Sequence, residues 1–253
     1  MSFYNFWNLG FLLQNTADKR TVGELALIIV GVLVTIICAY LLGSINLSII
    51  ISSKFYHDDI RQHGSGNAGM TNVMRTYGKK MAVITFVGDF FKAVIASLIG
   101  RMLLGYLGAY IAGFFCVLGH IFPIFYKFKG GKGVVTTAAM MFMTSPGVFI
   151  RMLAIFVIVV CISRYISLGS VIAGLTYPIV LDRVSGGEGR GGFPVLLAFA
   201  VALFVTWAHR ENIKRIVQGN ERKFTFKVKD KKTVAEVEAE AKANDDEGEK
   251  ADD

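Results

Sequence analysis

LALIIVGVLVTIICAYLLG (residues 25–43) contains no charged side chain. A membrane-crossing helix needs ~20 predominantly apolar residues, and this run supplies one. The rest of the chain has the same character. Of 253 residues, 53% are hydrophobic and only 18% charged, and the mean hydropathy is +0.52. That balance excludes an ordinary soluble domain and predicts an all-α, polytopic integral membrane bundle with short loops. The net charge of +8 sits mainly in the loops, where it sets orientation in the membrane and does not call for nucleic acid. Cys38, Cys116 and Cys161 lie in apolar runs and read as buried thiols. The four histidines, His57, His63, His120 and His209, show no metal-ligand spacing, so neither a disulfide framework nor a metal site is expected.

Seven spans are predicted. The first run continues through GSINLSIIISSKFY, longer than one bilayer requires, with Gly43, Ser44 and Asn46 interrupting it. These small polar groups either break the helix or serve close helix–helix contact. Spans two to seven are placed at residues 81–99, 103–128, 134–143, 149–162, 168–181 and 193–208. Residues 1–23, rich in aromatic side chains (Phe3, Tyr4, Phe6, Trp7, Phe11), have no basic n-region or cleavage pattern and read as an interfacial segment. Residues 24–224 form the membrane domain, with a flexible outer loop at residues 182–192. Residues 225–253 read as a charged, disordered cytoplasmic tail. Asp89 and Lys92 lie three apart on one helix face inside span two, as a structural ion pair or as part of a site.

Between spans one and two lies DIRQHGSGNAGMTNVMRTYGKK (residues 59–80). Its glycines permit positive φ and close backbone approach. Ser65, Asn67, Thr71 and Asn72 offer neutral hydrogen-bonding groups, and Arg61, Arg75, Lys79 and Lys80 offer fixed positive charge. That mixture suits an oxyanion such as phosphate; the plain alternative is a basic cytosolic loop. A second polar cluster, FKGGKG at residues 128–133, opens span four. There Gly130 and Gly131 are expected to present free N–H groups at a helix start, beside Lys132. It matches no P-loop spacing. A third cluster holds Ser163, Arg164, Tyr165 and Ser167. The fourth is HRENIKR from His209, with His209 and Asn212 on one helical face. With seven spans, the N-terminus is outside and the C-terminus cytoplasmic. All four clusters then share the inner face with most of the lysine and arginine, as the positive-inside rule requires.

From about residue 40 to about 223, these motifs resemble the bacterial membrane acyl-phosphate:glycerol-3-phosphate acyltransferase family, often called PlsY. The match is carried by Gly43-Ser44-Ile45-Asn46, by Asp59-Ile60-Arg61 with Gly64-Ser65-Gly66-Asn67, and by Thr71-Asn72-Val73 with Arg75 and Gly78. It continues through Gly119-His120 with Phe122-Pro123, Phe128-Lys129-Gly130-Gly131-Lys132-Gly133, and Ser163-Arg164-Tyr165 with Ser167. It closes on His209-Arg210, Asn212-Ile213, Arg215, Gly219 and Glu221. Asn46 stands where proline is common and Met70 where alanine is common.

The resemblance implies a seven-helix enzyme of the inner, cytoplasmic membrane with its active site facing the cytoplasm. It implies transfer of a fatty acyl group from acyl phosphate to the 1-hydroxyl of glycerol 3-phosphate, giving lysophosphatidate and inorganic phosphate without a cofactor or metal. Its partners are those two substrates and membrane lipid. Ser65, His209 and Asn212 are the expected catalytic residues. Arg61, Asn67, Arg75, Gly130, Gly131, Lys132, Arg164 and Ser167 are expected to bind substrate. Acyl phosphate is already activated, so direct attack needs positioning and charge stabilisation, and no covalent intermediate. Either His209 or a substrate phosphate takes the hydroxyl proton. The rival class is a transporter of an anionic metabolite; against it stand the one-sided clusters and the lack of repeated halves.

Overall fold

The computed structural model describes residues 22–185 and 192–225, together with Gly10 and Leu12. The predicted interfacial segment at residues 1–23, most of the loop at 182–192 and nearly all of the tail from 225 lie outside the described residues. Every regular element among the described residues is helical. Two compact units are formed: one by residues up to Ile45 together with Asp89–Thr225, the other, among the described residues, by Asn46–Gly88.

In the larger unit, α1 (Val22–Ser44) has an inside-out face pattern. Its buried positions are Gly31, Thr35, Ala39, Gly43 and Ser44, whereas Leu25, Leu27, Ile29, Val30, Leu33 and Ile37 are exposed. Large apolar groups outward and small groups inward are what a lipid-facing helix requires, because lipid solvates the former and only the latter let backbones approach. A Cβ on Gly43 would overlap the Cys116 carbonyl, and one on Gly119 that of Tyr40. The core around α1 is accordingly built from Ala39, Ala93, Ala96, Ala112, Cys116 and Ala139.

Next in this unit comes α4 (Lys79–Ile121), whose first residues belong to the smaller unit. It is interrupted by non-helical backbone at Leu104 and Gly105, the latter at φ 63°. The chain reverses there. A Cβ on Gly100 or on Gly108 would overlap the other's carbonyl. Lys92 Nζ lies 3.0 Å from His120 Nδ1, whereas a straight helix would hold the pair about 42 Å apart. Predicted spans two and three are thus the arms of a helical hairpin. Arg101, between predicted spans two and three, lies within the helix and donates to the Met143 carbonyl at 3.0 Å. The second arm ends at Ile121 and not at residue 128, because Pro123 cannot donate to the helical ladder.

Then follow α5 (Val134–Thr144), α6 (Pro146–Ser163), α7 (Ile166–Ser185), α8 (Phe193–Ala208) and α9 (Arg210–Val217). Helix α6 packs along α7 and α7 along α8, around a core that includes Tyr110, Met140, Met152, Tyr177, Leu181, Val201 and Val205. At 11 residues, α5 is only about 16 Å long, short for a hydrocarbon layer of ~30 Å. Span seven does not run straight into HRENIKR: α8 and α9 meet at a 56° bend, with His209 at the junction. Cys116 is buried as expected, but Cys38 is partly exposed and Cys161 exposed. By length and composition, residues 22–56, 79–126 and 146–163 and the bent α8–α9 pair qualify as membrane-crossing segments.

The smaller unit starts at Asn46, where the first apolar run breaks. Asn46 caps α2 (Leu47–Tyr56) by accepting the Ile49 N–H at 3.3 Å. A 3-10 turn (Ile60–Gln62) and the amphipathic α3 (Met70–Tyr77) follow.

Candidate active site

In the smaller unit the glycine-rich loop is built around Asn72. Its Oδ1 accepts the Ser65 N–H at 3.0 Å. Its Nδ2 donates to the carbonyls of His63 at 2.9 Å and Ile60 at 3.1 Å. One buried amide thus closes the loop onto α3, and Ile60, fully buried, anchors its start. Gly64 has φ 59°, and a Cβ there would overlap Asn72 Oδ1, so only glycine fits. Ser65 is left exposed and Asn67 partly so. Arg75, in the last turn of α3, is half-buried.

The base of this loop is stitched by charge. Asp59 caps the 3-10 turn through the Arg61 N–H at 2.9 Å, and its carboxylate grips the Arg61 guanidinium at 2.7–3.0 Å. The Arg61 bonds hold the Asp59 carboxyl below the usual carboxylate range. Arg61 is therefore already paired with a carboxylate of its own turn. Asp58 takes His63 Nε2 at 2.7 Å and the Tyr77 hydroxyl at 3.0 Å, and Tyr77 stacks on Tyr56 with ring centroids 4.0 Å apart. Burial and the Asp58 carboxylate push the Tyr77 hydroxyl's pKa up, so it stays a donor.

In the larger unit a second network is built around Glu221. Its Oε1 accepts from Ser167 Oγ at 2.8 Å and from Asn212 Nδ2 at 2.7 Å; its Oε2 accepts from Arg215 Nε at 2.8 Å. Burial raises the carboxyl's pKa, but the bonds from Asn212, Arg215 and Ser167 outweigh it and leave the pKa lowered. With Nδ2 held by Glu221, Asn212 turns Oδ1 outward, where it accepts from Lys132 Nζ. Residues from α7, α9 and the loop before α5 are thereby brought together. Arg164 is not among them: its side chain is exposed, its φ is 61°, and its carbonyl receives the Phe224 N–H at 2.7 Å. It serves as a backbone pivot between α6 and α7.

His209, past the end of α8, is buried. Its Nδ1 lies 2.7 Å from the Val205 carbonyl. A carbonyl can only accept, so Nδ1 carries the hydrogen and Nε2 keeps its lone pair. An imidazole with its ordinary pKa of ~6.5 is mostly neutral at pH 7.

One expectation is overturned. The N–H groups of Gly130 and Gly131 are not free for an anion: they donate to the carbonyls of Ile121 at 3.2 Å and His120 at 3.0 Å. These carbonyls end α4 without a helical partner, and the glycine pair satisfies them. A Cβ on Gly130 would overlap the His120 carbonyl, which explains that glycine. Asp89 and Lys92 also resolve. Lys92 Nζ contacts the carbonyls of Gly43 at 2.9 Å and Ile45 at 2.5 Å, Asp89 Oδ1 at 2.8 Å and His120 Nδ1 at 3.0 Å. Glu221, Asn72 and His120 were not among the expected site residues. Each lies inside a quoted motif, but nothing in spacing alone marks one as a hub.

The glycerol-3-phosphate acyltransferase family profile matches residues 33–219. A glycerol-3-phosphate acyltransferase of Finegoldia magna is 39% identical over 202 residues, covering 79% of this chain and 96% of that protein. The one from Bacillus subtilis is 37% identical over 188 residues, covering 74% and 95%. Among solved structures, the glycerol 3-phosphate form of PlsY, an integral membrane glycerol 3-phosphate acyltransferase, superposes with a TM-score of 0.71 at 36% identity. It covers 77% of this chain and 96% of that one. The lysophosphatidic acid form gives a TM-score of 0.68 at 34% identity, covering 81% and 97%.

Proposed function

Because the chain belongs to the glycerol-3-phosphate acyltransferase family of integral membrane enzymes, we propose that it acylates the 1-hydroxyl of glycerol 3-phosphate. The donor is an acyl phosphate. The hydroxyl oxygen attacks the acyl carbon, the bond from that carbon to the phosphate oxygen breaks, and inorganic phosphate leaves with lysophosphatidate as the other product. This is an acylation step of phospholipid synthesis. The relatives solved in glycerol 3-phosphate and lysophosphatidic acid forms support that substrate and product class.

The observation that carries the reading is the Lys132–Asn212–Glu221 network beside a neutral His209. We assign phosphate binding to Lys132 in the larger unit and, separately, to Arg75 in the smaller one, where Ser65 and Asn67 offer hydrogen bonds to a polar head. Ser167 acts through Glu221, and Gly130 and Gly131 shape the Lys132 loop. His209 Nε2 accepts a hydrogen bond from a glycerol hydroxyl and orients it. The proton of the attacking hydroxyl goes to a substrate phosphate. A phosphate monoester, with pKa near ~6, is largely the dianion at neutral pH and can take that proton. Lysine and arginine neutralise the substrate anions, so the reaction as written calls for no metal or cofactor.

The decisive assay gives purified protein acyl phosphate and glycerol 3-phosphate in detergent and follows free phosphate and lysophosphatidate. Release requiring both substrates is expected. Release with acyl phosphate alone indicates a hydrolase, and folded protein that releases none returns the transporter reading.

The accompanying topology is seven crossings within residues 24–224, in the inner (cytoplasmic) membrane, with the N-terminus outside and the polar clusters cytoplasmic. Its parity depends on the short α5. In a background with Cys38, Cys116 and Cys161 replaced by serine, cysteine at the exposed Arg183 or Gly147 should react with an impermeant reagent in intact cells. Cysteine at Gln62 should react only after the membrane is opened. Reversed labelling at both Gly147 and Arg183, with Gln62 unchanged, would show that α5 does not cross.

A further inference from the structure

We propose that Asp89, Lys92 and His120, buried in the α4 hairpin, form a positioning cluster for Lys132; the proposal rests on the phosphate-binding reading of that lysine. Lys92 is more than half of an ion pair. Its ammonium reaches the Gly43 and Ile45 carbonyls, which end α1, and also His120 Nδ1. An ammonium has only hydrogens to give, so His120 Nδ1 accepts. The 3.6 Å from His120 Nδ1 to Asp89 Oδ1 is too long for a hydrogen bond. Asp89, 2.8 Å from the ammonium, balances its charge.

His120 therefore faces two ways. Its ring is held by Lys92, and its carbonyl receives the Gly131 N–H at 3.0 Å. Gly130 fits only because it has no side chain to meet that carbonyl, and a Cβ on Gly133 would crowd Ile121 and Val117 at 3.0–3.1 Å. Lys132 is thus flanked on both sides by residues seated on the end of the second hairpin arm. The series runs Asp89 and Lys92, His120, Gly131, Lys132, Asn212, Glu221. Rotation of His120 would move the residue next to Lys132 and so the ammonium against Asn212. Buried charge that served only to glue the hairpin would have no need of a residue whose carbonyl seats the lysine loop.

A double-mutant cycle on the full-length protein in detergent separates positioning from glue. His120→Phe keeps an aromatic ring and removes the acceptor; His120→Asn keeps an acceptor close to the Nδ1 position. Both are made with Lys132 intact and with Lys132→Ala, and kcat, KM for each substrate and unfolding temperature are measured. Coupled residues give non-additive effects, so His120→Phe should raise KM about tenfold when Lys132 is present and less than about twofold when it is absent. His120→Asn should restore most of the loss. Equal effects in both backgrounds, or wild-type kinetics in His120→Phe, overturn the positioning role. If His120→Phe does not fold, Lys92→Arg goes through the same cycle with the same criteria. A readout without catalysis is the rise in unfolding temperature on adding inorganic phosphate. It should persist in His120→Asn and vanish in His120→Phe and Lys132→Ala. A rise that survives in His120→Phe sinks the positioning role, even for a protein that turns over no acyl phosphate. Lack of two-substrate phosphate release in the wild type sinks the functional reading instead.

Discussion

The two polar networks are closed by different chemistry. In residues 58–77 the hub is the neutral amide of Asn72, bonded to groups at most twelve positions away. In the larger unit the hub is the carboxylate of Glu221, which gathers Ser167 from 54 positions away as well as Asn212 and Arg215. A neutral hub costs little to desolvate and shapes a loop that leaves Ser65 exposed. A carboxylate hub binds its donors more tightly but depends on ionisation and on a cation beside it. The first network leaves the Ser65 hydroxyl exposed; the second fixes Arg215 and Lys132 through Glu221 and Asn212.

The contrast breaks most directly by deletion. Glu221→Ala leaves Arg215, Asn212 and Ser167 without their shared acceptor. A hydrogen bond to a charged group is worth roughly 1.5–3 kcal/mol, and Glu221 accepts from three donors, of which only Arg215 is substantially exposed, at 36%. Asn72→Ala should cost about 1–3 kcal/mol, the desolvation of neutral partners. Unfolding in detergent measures both, and a larger loss for Asn72→Ala would reverse the proposed ranking. Next in size, Arg75→Ala should lower kcat/KM about ten- to a hundredfold, the loss of a charge-assisted contact of roughly 1.5–3 kcal/mol. Arg75→Lys should recover only part, since an ammonium cannot make a bidentate fit. Unchanged kinetics in folded Arg75→Ala would remove it from the site.

His209→Gln sharpens the chemistry of the second network. Glutamine can accept a hydrogen bond but cannot take a proton, so an orienting histidine predicts a fall in kcat of no more than about tenfold. The acid limb should stay near the ~6 of a phosphate monoester. A fall of roughly 10²–10⁴-fold would instead make His209 the general base. The smallest effect is on stability against pH. Glu221 has a lowered pKa in the folded protein, so at acid pH the unfolded chain binds the extra proton. Its contribution is complete above its unfolded value of ~4.3 and is lost as pH falls through the lower folded value. Glu221→Gln lacks that dependence, so the gap in unfolding temperature between wild type and variant should narrow from pH 6 to pH 3.5. A constant gap would mean that Glu221 carries no such linkage.

Residue chemistry alone determined the membrane class, the helical segments and the four polar clusters, because hydropathy and glycine–polar punctuation are local properties of the chain. The family resemblance of its ordered motifs nominated His209, Asn212, Lys132, Ser65 and Arg75 as candidates. Neither could say which polar group pairs with which. Gly130 and Gly131 look like open anion donors until the α4 carbonyls they satisfy are seen. Arg61 looks like a free cation until Asp59 is seen gripping it. That the Arg164 backbone is left-handed and ends α6 is likewise invisible in its spacing. The hairpin at Gly105 brings His120 to Lys92 across 28 positions, and the 56° bend at His209 lets α9 carry Asn212 back to Lys132 and Glu221. Those pairings belong to the tertiary structure, because a buried polar group takes whichever partner packing delivers, and packing joins residues that no local pattern relates.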